Sequence, residues 1–118
     1  MIRERLGDQA LVELIVQLID HLDRRLSGLA WADFLGDVDE IDLSAYRLLQ
    51  IGEAGNKLSE ALRSRQTDFD WRAMYRMRNI LAHSYASVDA MTIWETAKGE
   101  LIGLSAICAL EIERHDGE

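Results

Sequence analysis

The sequence predicts an all-α protein, an up-and-down bundle of four helices. Three observations carry this. The chain of 118 residues contains no proline, so nothing in it interrupts long helices. Apolar residues recur at spacings of three and four along most of its length, which is the stripe of an amphipathic helix. The segments between the stripes are short, and short connections join antiparallel neighbours. A chain of this length fits one domain. No repeat, linker or low-complexity stretch divides it, so residues 1–118 are read as a single helical domain.

The first helix is expected from about Ile2 to Leu26, with Leu11, Leu14, Ile15, Leu18, Leu22 and Leu26 on its apolar face and Ser27-Gly28 closing it. A short connection follows from Trp31 to Asp39, in which Trp31, Phe34 and Leu35 cap one end of the core. The second helix is expected to start near Asp39 or Asp42 and to reach about Arg65. Its stripe is Leu48, Ile51, Gly55, Leu58 and Leu62. Gly52 and Gly55 each cost roughly 1 kcal/mol inside a helix relative to alanine, so a close approach by another backbone or a ligand is their expected use. Asp70 is placed to N-cap a third helix, Trp71 to Ser84. The fourth starts near Ser87 or Asp89 and runs to about Arg114. Its segment LIGLSAICAL, from Leu101 to Leu110, is apolar nearly all round, so it is expected to be central or to lie in a subunit interface.

Hydrophobic residues make up 48% and charged residues 29%, a globular balance rather than a disordered one. Acidic residues outnumber basic ones by 21 to 13, a net charge of -8, which argues against a generic nucleic-acid coat. The charge is uneven, however. Between Lys57 and Arg78 stand Lys57, Arg63, Arg65, Arg72, Arg76 and Arg78 against Glu60, Asp68 and Asp70. An acidic body with one basic patch suits local handling of phosphate or docking of a partner. The single cysteine, Cys108, lies in an apolar run and reads as a buried, inert thiol. The chain shows no run of apolar residues long enough for a membrane span and no secretory hydrophobic region near its N-terminus, so a cytoplasmic location is expected. It also shows no ligand cluster at metal spacing, so neither metal nor cofactor is expected.

The third helix, WRAMYRMRNILAHSY, carries the chemistry. At 100° per residue, Met74, Met77 and Leu81 share one face, while Arg72, Arg76, Asn79 and His83 share the opposite one. Arg78 falls at the edge of the apolar face. A cation there needs a partner, because an unpaired buried charge is very costly. Glu53, between the two glycines of the second helix, is a candidate for it, and Lys57 lies one turn further on.

The run Arg78, Asn79, Leu81, Ala82, His83, Tyr85 resembles the arginine–x4–histidine signature of HEPN ribonucleases. More narrowly it resembles the HepT-like branch, whose motif continues to a tyrosine two residues past the histidine. LLQIGEAGNKLSE, Leu48 to Glu60, is similar to that branch's IGEA-x-x-K-L-S segment, and Val88, Asp89 and Trp94 match the pattern after the motif. The likeness thus covers the second, third and fourth helices. Asp70 stands where the family often has proline, a difference that affects a helix start and not the chemistry.

The resemblance implies a HEPN-like four-helix fold, a homodimer, and RNA as substrate. It implies a metal-independent endoribonuclease acting as the toxin of a type VII-like pair, with a MntA-type nucleotidyltransferase as antitoxin in a larger hetero-oligomer. Arg78 and His83 become the catalytic pair. His83 would take or orient the proton of the RNA 2′-OH, because imidazole titrates near neutral pH. Arg78 would stabilise charge on the phosphorus. Asn79, Glu53, Lys57, Arg72 and Arg76 would support the site or contact phosphate and RNA. Tyr85 resembles the acceptor of AMP groups added by the partner, which would obstruct and repel RNA. Five residues on a helix are about 140° apart, so Arg78 and His83 point different ways, and the family's two-fold composite cleft is the implied solution. Two other readings stand beside this one. The bundle could be a non-catalytic partner or substrate-binding subunit of a nucleotidyltransferase, or a purely structural dimerising bundle.

Overall fold

The computed structural model describes residues 7–117, and every regular element among them is helical. Helix α1 spans Asp8–Leu26 and closes at Ser27, whose N–H reaches the Asp23 carbonyl. The expected start at Ile2 lies outside the described residues. Leu11, Val12, Ile15, Leu18, Leu22 and Leu26 bury its apolar stripe, and Leu14 packs at the margin. The expected connection is itself partly helical, as α2 (Trp31–Leu35). Phe34 is fully buried with its ring 4.9 Å from that of Trp94, and Trp31 packs 5.9 Å from Trp94. Leu35 takes no part in this cluster and is exposed. On a five-residue helix, one turn faces the core and its neighbour cannot.

Helix α3 (Val38–Asn56) starts where Asp37 accepts a hydrogen bond from the Glu40 N–H. The single second helix expected to reach Arg65 is two. The chain breaks at Lys57–Ser59 and resumes as α4 (Glu60–Arg65). Ser59 is the cause: its hydroxyl accepts from the Leu62 N–H, and such local bonds compete with the helical ladder. Asp8 of α1 locks the break by accepting from the Ser59 N–H at 2.8 Å and from its hydroxyl. Leu58 and Leu62 still reach the core.

Helix α5 (Trp71–His83) is capped by Asp70, which accepts from the Ala73 N–H. A 3-10 turn, Tyr85–Ser87, leads to α6 (Ala90–Glu95), capped by Asp89. Helix α6 runs through a π-helical segment, Thr96–Glu100, into α7 (Leu101–Asp116). The Thr96 hydroxyl donates to the Thr92 carbonyl there.

Helix α1 packs on both α3 and α7, and α5 packs on α3 and faces the α6–α7 rod across a cavity lined by Met74, Met77, Thr96 and Leu104. The core therefore lies between α1, α3 and the α6–α7 rod, with α5 as a flank. Each fully buried leucine or isoleucine contributes about 1.5–3 kcal/mol to this core. Helix α7 is not central. It buries Leu101, Leu104 and Cys108 on one face and leaves Ile102 70% exposed and Leu110 55% exposed on others. Cys108 is buried as expected, and that burial, with Glu111 nearby, pushes its thiol up to about 12. Glu111 is the one buried carboxylate among the described residues, held by Arg65 at 2.6 Å and Gln66 at 2.8 Å. Among the described residues no helix is long and apolar enough to cross a membrane.

Candidate active site

The site is built where α5 crosses α3, and the two glycines set the approach. A Cβ on Gly52 would meet the Arg78 Cβ at 2.8 Å, and one on Gly55 would meet the Met74 sulfur at 2.5 Å. Both distances are well inside ordinary van der Waals contact. Helix α5 therefore lies directly on the backbone of α3, and the stem of Arg78 lies on Gly52.

This contact carries the Arg78 guanidinium to Glu53, the next residue along. Its Nε donates to Glu53 Oε1 at 2.9 Å, and its Nη2 lies 2.6 Å from the same oxygen. Nη1 donates to Asn79 Oδ1 at 2.9 Å. The expectation that Arg78 needs a partner, and that Glu53 supplies it, is met. The pair is half-exposed, so its role is orientation more than stability. A guanidinium carries five N–H groups, and these bonds leave two free to meet an anion.

Met74, Met77 and Leu81 face the core, while Arg72, Arg76 and His83 are exposed on the other side of α5. Asn79 is half-buried beside Arg78. His83 ends the helix, and among the described residues no hydrogen bond or ion pair joins it to Arg78. The chain thus brings Arg78, Asn79 and Glu53 together and leaves His83 apart from them. Lys57 caps the C-terminus of α3 with its side chain exposed and makes no ion pair with Glu53.

Tyr85 is half-exposed on the 3-10 turn, and its hydroxyl donates to the Asp42 carboxylate of α3. That bond raises the phenol above its ordinary pKa, helped by slight burial and by the negative charge of Asp42. Sequence reasoning missed Asp42, because nothing local links positions 42 and 85.

The local basic excess survives folding. Arg65 is bound to Glu111 and Arg78 to Glu53, but Lys57, Arg63, Arg72 and Arg76 have no carboxylate at ion-pair distance among the described residues. Helix α5 itself contains no acidic residue. No group of three His, Cys, Asp or Glu side chains among the described residues is arranged to hold a metal ion.

A family model described as Ribonuclease HepT-like matches residues 15–110, a span that contains α3, α5 and the whole motif. A protein of Thermococcus cleftensis named a probable ribonuclease HepT is 30% identical over 94 residues, covering 79% of this chain and 84% of its own. A protein of Caldanaerobacter subterraneus subsp. tengcongensis, provisionally named an RNase, is 31% identical over 90 residues, 76% of this chain and 80% of its own. A similarly named protein of Methanocaldococcus jannaschii is 30% identical over 88 residues, 74% and 72% of the two chains. No solved structure gives a significant match. With the arginine oriented on α3 and the match spanning every element that orients it, the chain belongs to the HepT-like ribonuclease family.

Proposed function

We propose that this chain is a metal-independent endoribonuclease whose site joins Arg78 of one subunit to His83 of a second copy. The four long helical pieces, α1, α3, α5 and the α6–α7 rod, are read as an up-and-down HEPN bundle. The observation that carries the reading is the guanidinium of Arg78. It is held by Glu53 and Asn79 with N–H groups to spare, on an acid-free helix that ends in an exposed imidazole.

In the proposed step, His83 takes the proton of an RNA 2′-OH. The 2′-oxygen attacks the adjacent phosphorus, and the P–O5′ bond breaks. The departing oxygen takes a proton, from the imidazolium or water, leaving a 2′,3′-cyclic phosphate and a 5′-OH. Arg78 stabilises the charge on the phosphoryl oxygens, which is the larger contribution in such transfers. Arg72, Arg76 and Lys57 draw the polyanion to an otherwise acidic protein, and Asn79 and Glu53 fix Arg78.

The biological setting follows the family resemblance: a cytoplasmic toxin neutralised by a nucleotidyltransferase that adds AMP to Tyr85. An attached AMP would replace the proton that Tyr85 gives to Asp42 and set a phosphodiester charge beside that carboxylate. The turn after α5 would be repelled from α3 as RNA is blocked. The alternative, a binding subunit without catalysis, is favoured by one fact, that Arg78 and His83 do not meet within the chain.

The test is RNA cleavage by purified protein free of AMP. Arg78→Ala and His83→Ala are expected to keep the parent's helical circular dichroism and to lose at least a hundredfold in rate, the scale of general-base and electrostatic contributions. If His83→Ala cleaves as the parent does, the catalytic assignment is wrong. If folded parent cleaves nothing, the binding-subunit reading takes its place.

A further inference from the structure

A second group of unpaired cations lies at the opposite end of α5 from His83. Arg63 of α4 and Arg72 of α5 line one groove of about 290 Å³ together with Asn56, Trp71 and Tyr75. Neither guanidinium has a carboxylate at ion-pair distance among the described residues. The Nε of Arg63 is buried and finds no hydrogen-bond partner among the described residues. Two guanidiniums that line one groove without a carboxylate partner among the described residues mark a place for an anion. The net charge of -8 sharpens the point, since none of the carboxylates among the described residues pairs with either arginine.

The aromatic side of the groove is built differently from its cationic side. Trp71 is fixed: its indole N–H donates to the Gln66 carbonyl at 2.9 Å, and the Phe69 ring packs edge-on at 4.7 Å. Tyr75, one turn on, is exposed. An arginine–aromatic groove of this size suits a nucleotide. The guanidinium fork matches phosphate oxygens, and a ring offers any base a stacking surface without selecting among bases.

We infer that this groove holds a nucleotide of single-stranded RNA flanking the scissile bond, with phosphate on Arg63 and Arg72 and the base against Tyr75. This rests on the ribonuclease reading above and adds the path of its substrate. Arg72, Arg76, Asn79 and His83 form one stripe along α5, and Arg72 lies about 16 Å from His83 along the axis at 1.5 Å per residue. The strand therefore runs lengthwise on α5, anchored at the helix start and cut at its end, with Arg76 between.

The full chain carrying His83→Ala, which holds RNA uncut, is titrated with labelled single-stranded RNA over a range of salt. Arg72→Gln, added to it, is expected to weaken binding and to flatten the dependence of log K on log salt by about 0.7, the value of one single-strand phosphate contact. Tyr75→Ala is expected to weaken binding with the slope kept. Both residues are exposed, so neither change threatens folding. Arg63→Lys, which keeps the charge and loses the fork, is expected to weaken binding with a nearly unchanged slope. In the His83-intact protein the same changes should raise KM and spare kcat. Parent affinity and parent slope in Arg72→Gln, with the parent still cleaving RNA, would overturn the groove and leave the nuclease standing. A parent that neither binds nor cleaves RNA removes both. Variants that bind RNA normally but lose the nucleotidyltransferase partner would make the groove a protein-docking site, which also overturns the proposal.

Discussion

Gly52→Ala is the sharpest probe of how the site is built. Two effects oppose each other. Alanine in place of glycine within a helix gains about 1 kcal/mol of propensity. Its added Cβ, however, would sit 2.8 Å from the Arg78 Cβ, 3.2 Å from its Cγ and 3.5 Å from its Cα. Carbon atoms prefer about 3.5–4.0 Å, so the overlap approaches 1 Å. The atoms it meets belong to the stem of α5 and cannot swing aside, so the helix itself must move. Overpacking of this kind costs about 1–3 kcal/mol, and a rigid neighbour puts the cost at the upper end. The expected net loss is about 1–2 kcal/mol, or roughly 4–8 °C in Tm for a chain of this size. Gly55→Ala is the control. Its Cβ meets the sulfur and Cε of Met74 at 2.5 and 2.9 Å, the far end of a flexible thioether that can change rotamer. That variant should stay within about 1 kcal/mol of the parent. Urea and thermal unfolding followed by circular dichroism measure both. A Gly52→Ala protein as stable as the parent, or more so, would show that α5 does not rest on α3 as described.

Two further predictions concern titration. Arg65's hydrogen bond holds the Glu111 carboxyl below its ordinary range, against the opposing effect of burial and with help from Gln66. A lowered folded value means that its stabilisation is present above the ordinary carboxylate pKa and is lost as pH falls through the folded one. Glu111→Gln should therefore cost about 1–2 kcal/mol at pH 7, reduced from the buried-pair range because Arg65 is one-third exposed. The gap between variant and parent should close in acid; a gap that persists at pH 2 would refute the assignment. For Tyr85 the sign is reversed. Its folded value is raised by the bond to Asp42, so that contribution is complete below the ordinary phenol pKa and is lost as pH rises through the folded one. Asp42→Asn should move one phenolate transition in the ultraviolet titration toward ordinary tyrosine, and superimposable parent and variant curves would show that the bond does not form in solution.

Legibility followed range. Asp70 was readable as a cap, and Asp89 as one of two possible helix starts, because an N-cap and the N–H it binds are three residues apart. The Arg78–Glu53 pair spans 25 residues, yet it was legible as a candidate. One cation sat on an apolar edge, and one carboxylate lay between two glycines that only a close helix contact would justify. The break after Asn56 was not legible, since its lock is Asp8, 51 positions from Ser59. Asp42 with Tyr85 and Arg65 with Glu111 escaped for the same reason. Each is a surface-compatible residue by pattern and acquires a partner only through tertiary packing. The apolar run of α7 was read as central or at a subunit interface, and the fold removes only the first alternative, because composition does not distinguish a central helix from one whose second face is left open.

On the proposed reading, the arrangement of α5 forces a choice that a mixing experiment resolves. Arg78 has its stem on Gly52 and its head on Glu53 and Asn79. Turning it about 140° around the helix toward its own His83 would break all three contacts. A second copy of α5, related by a two-fold axis, presents its imidazole without disturbing any of them. A dimer of this kind holds two composite sites, each taking Arg78 from one subunit and His83 from the other. Arg78→Ala and His83→Ala proteins, each inactive alone, are then unfolded together and refolded as a mixture. Half of the dimers should be mixed, and each mixed dimer has one site with both residues intact and one with neither. The mixture should therefore recover about a quarter of parent activity. A site contained within one subunit recovers none, because every chain lacks one of its two groups. An inactive mixture with mixed dimers demonstrably present would defeat the shared site, and the arginine would have to leave Glu53 to act.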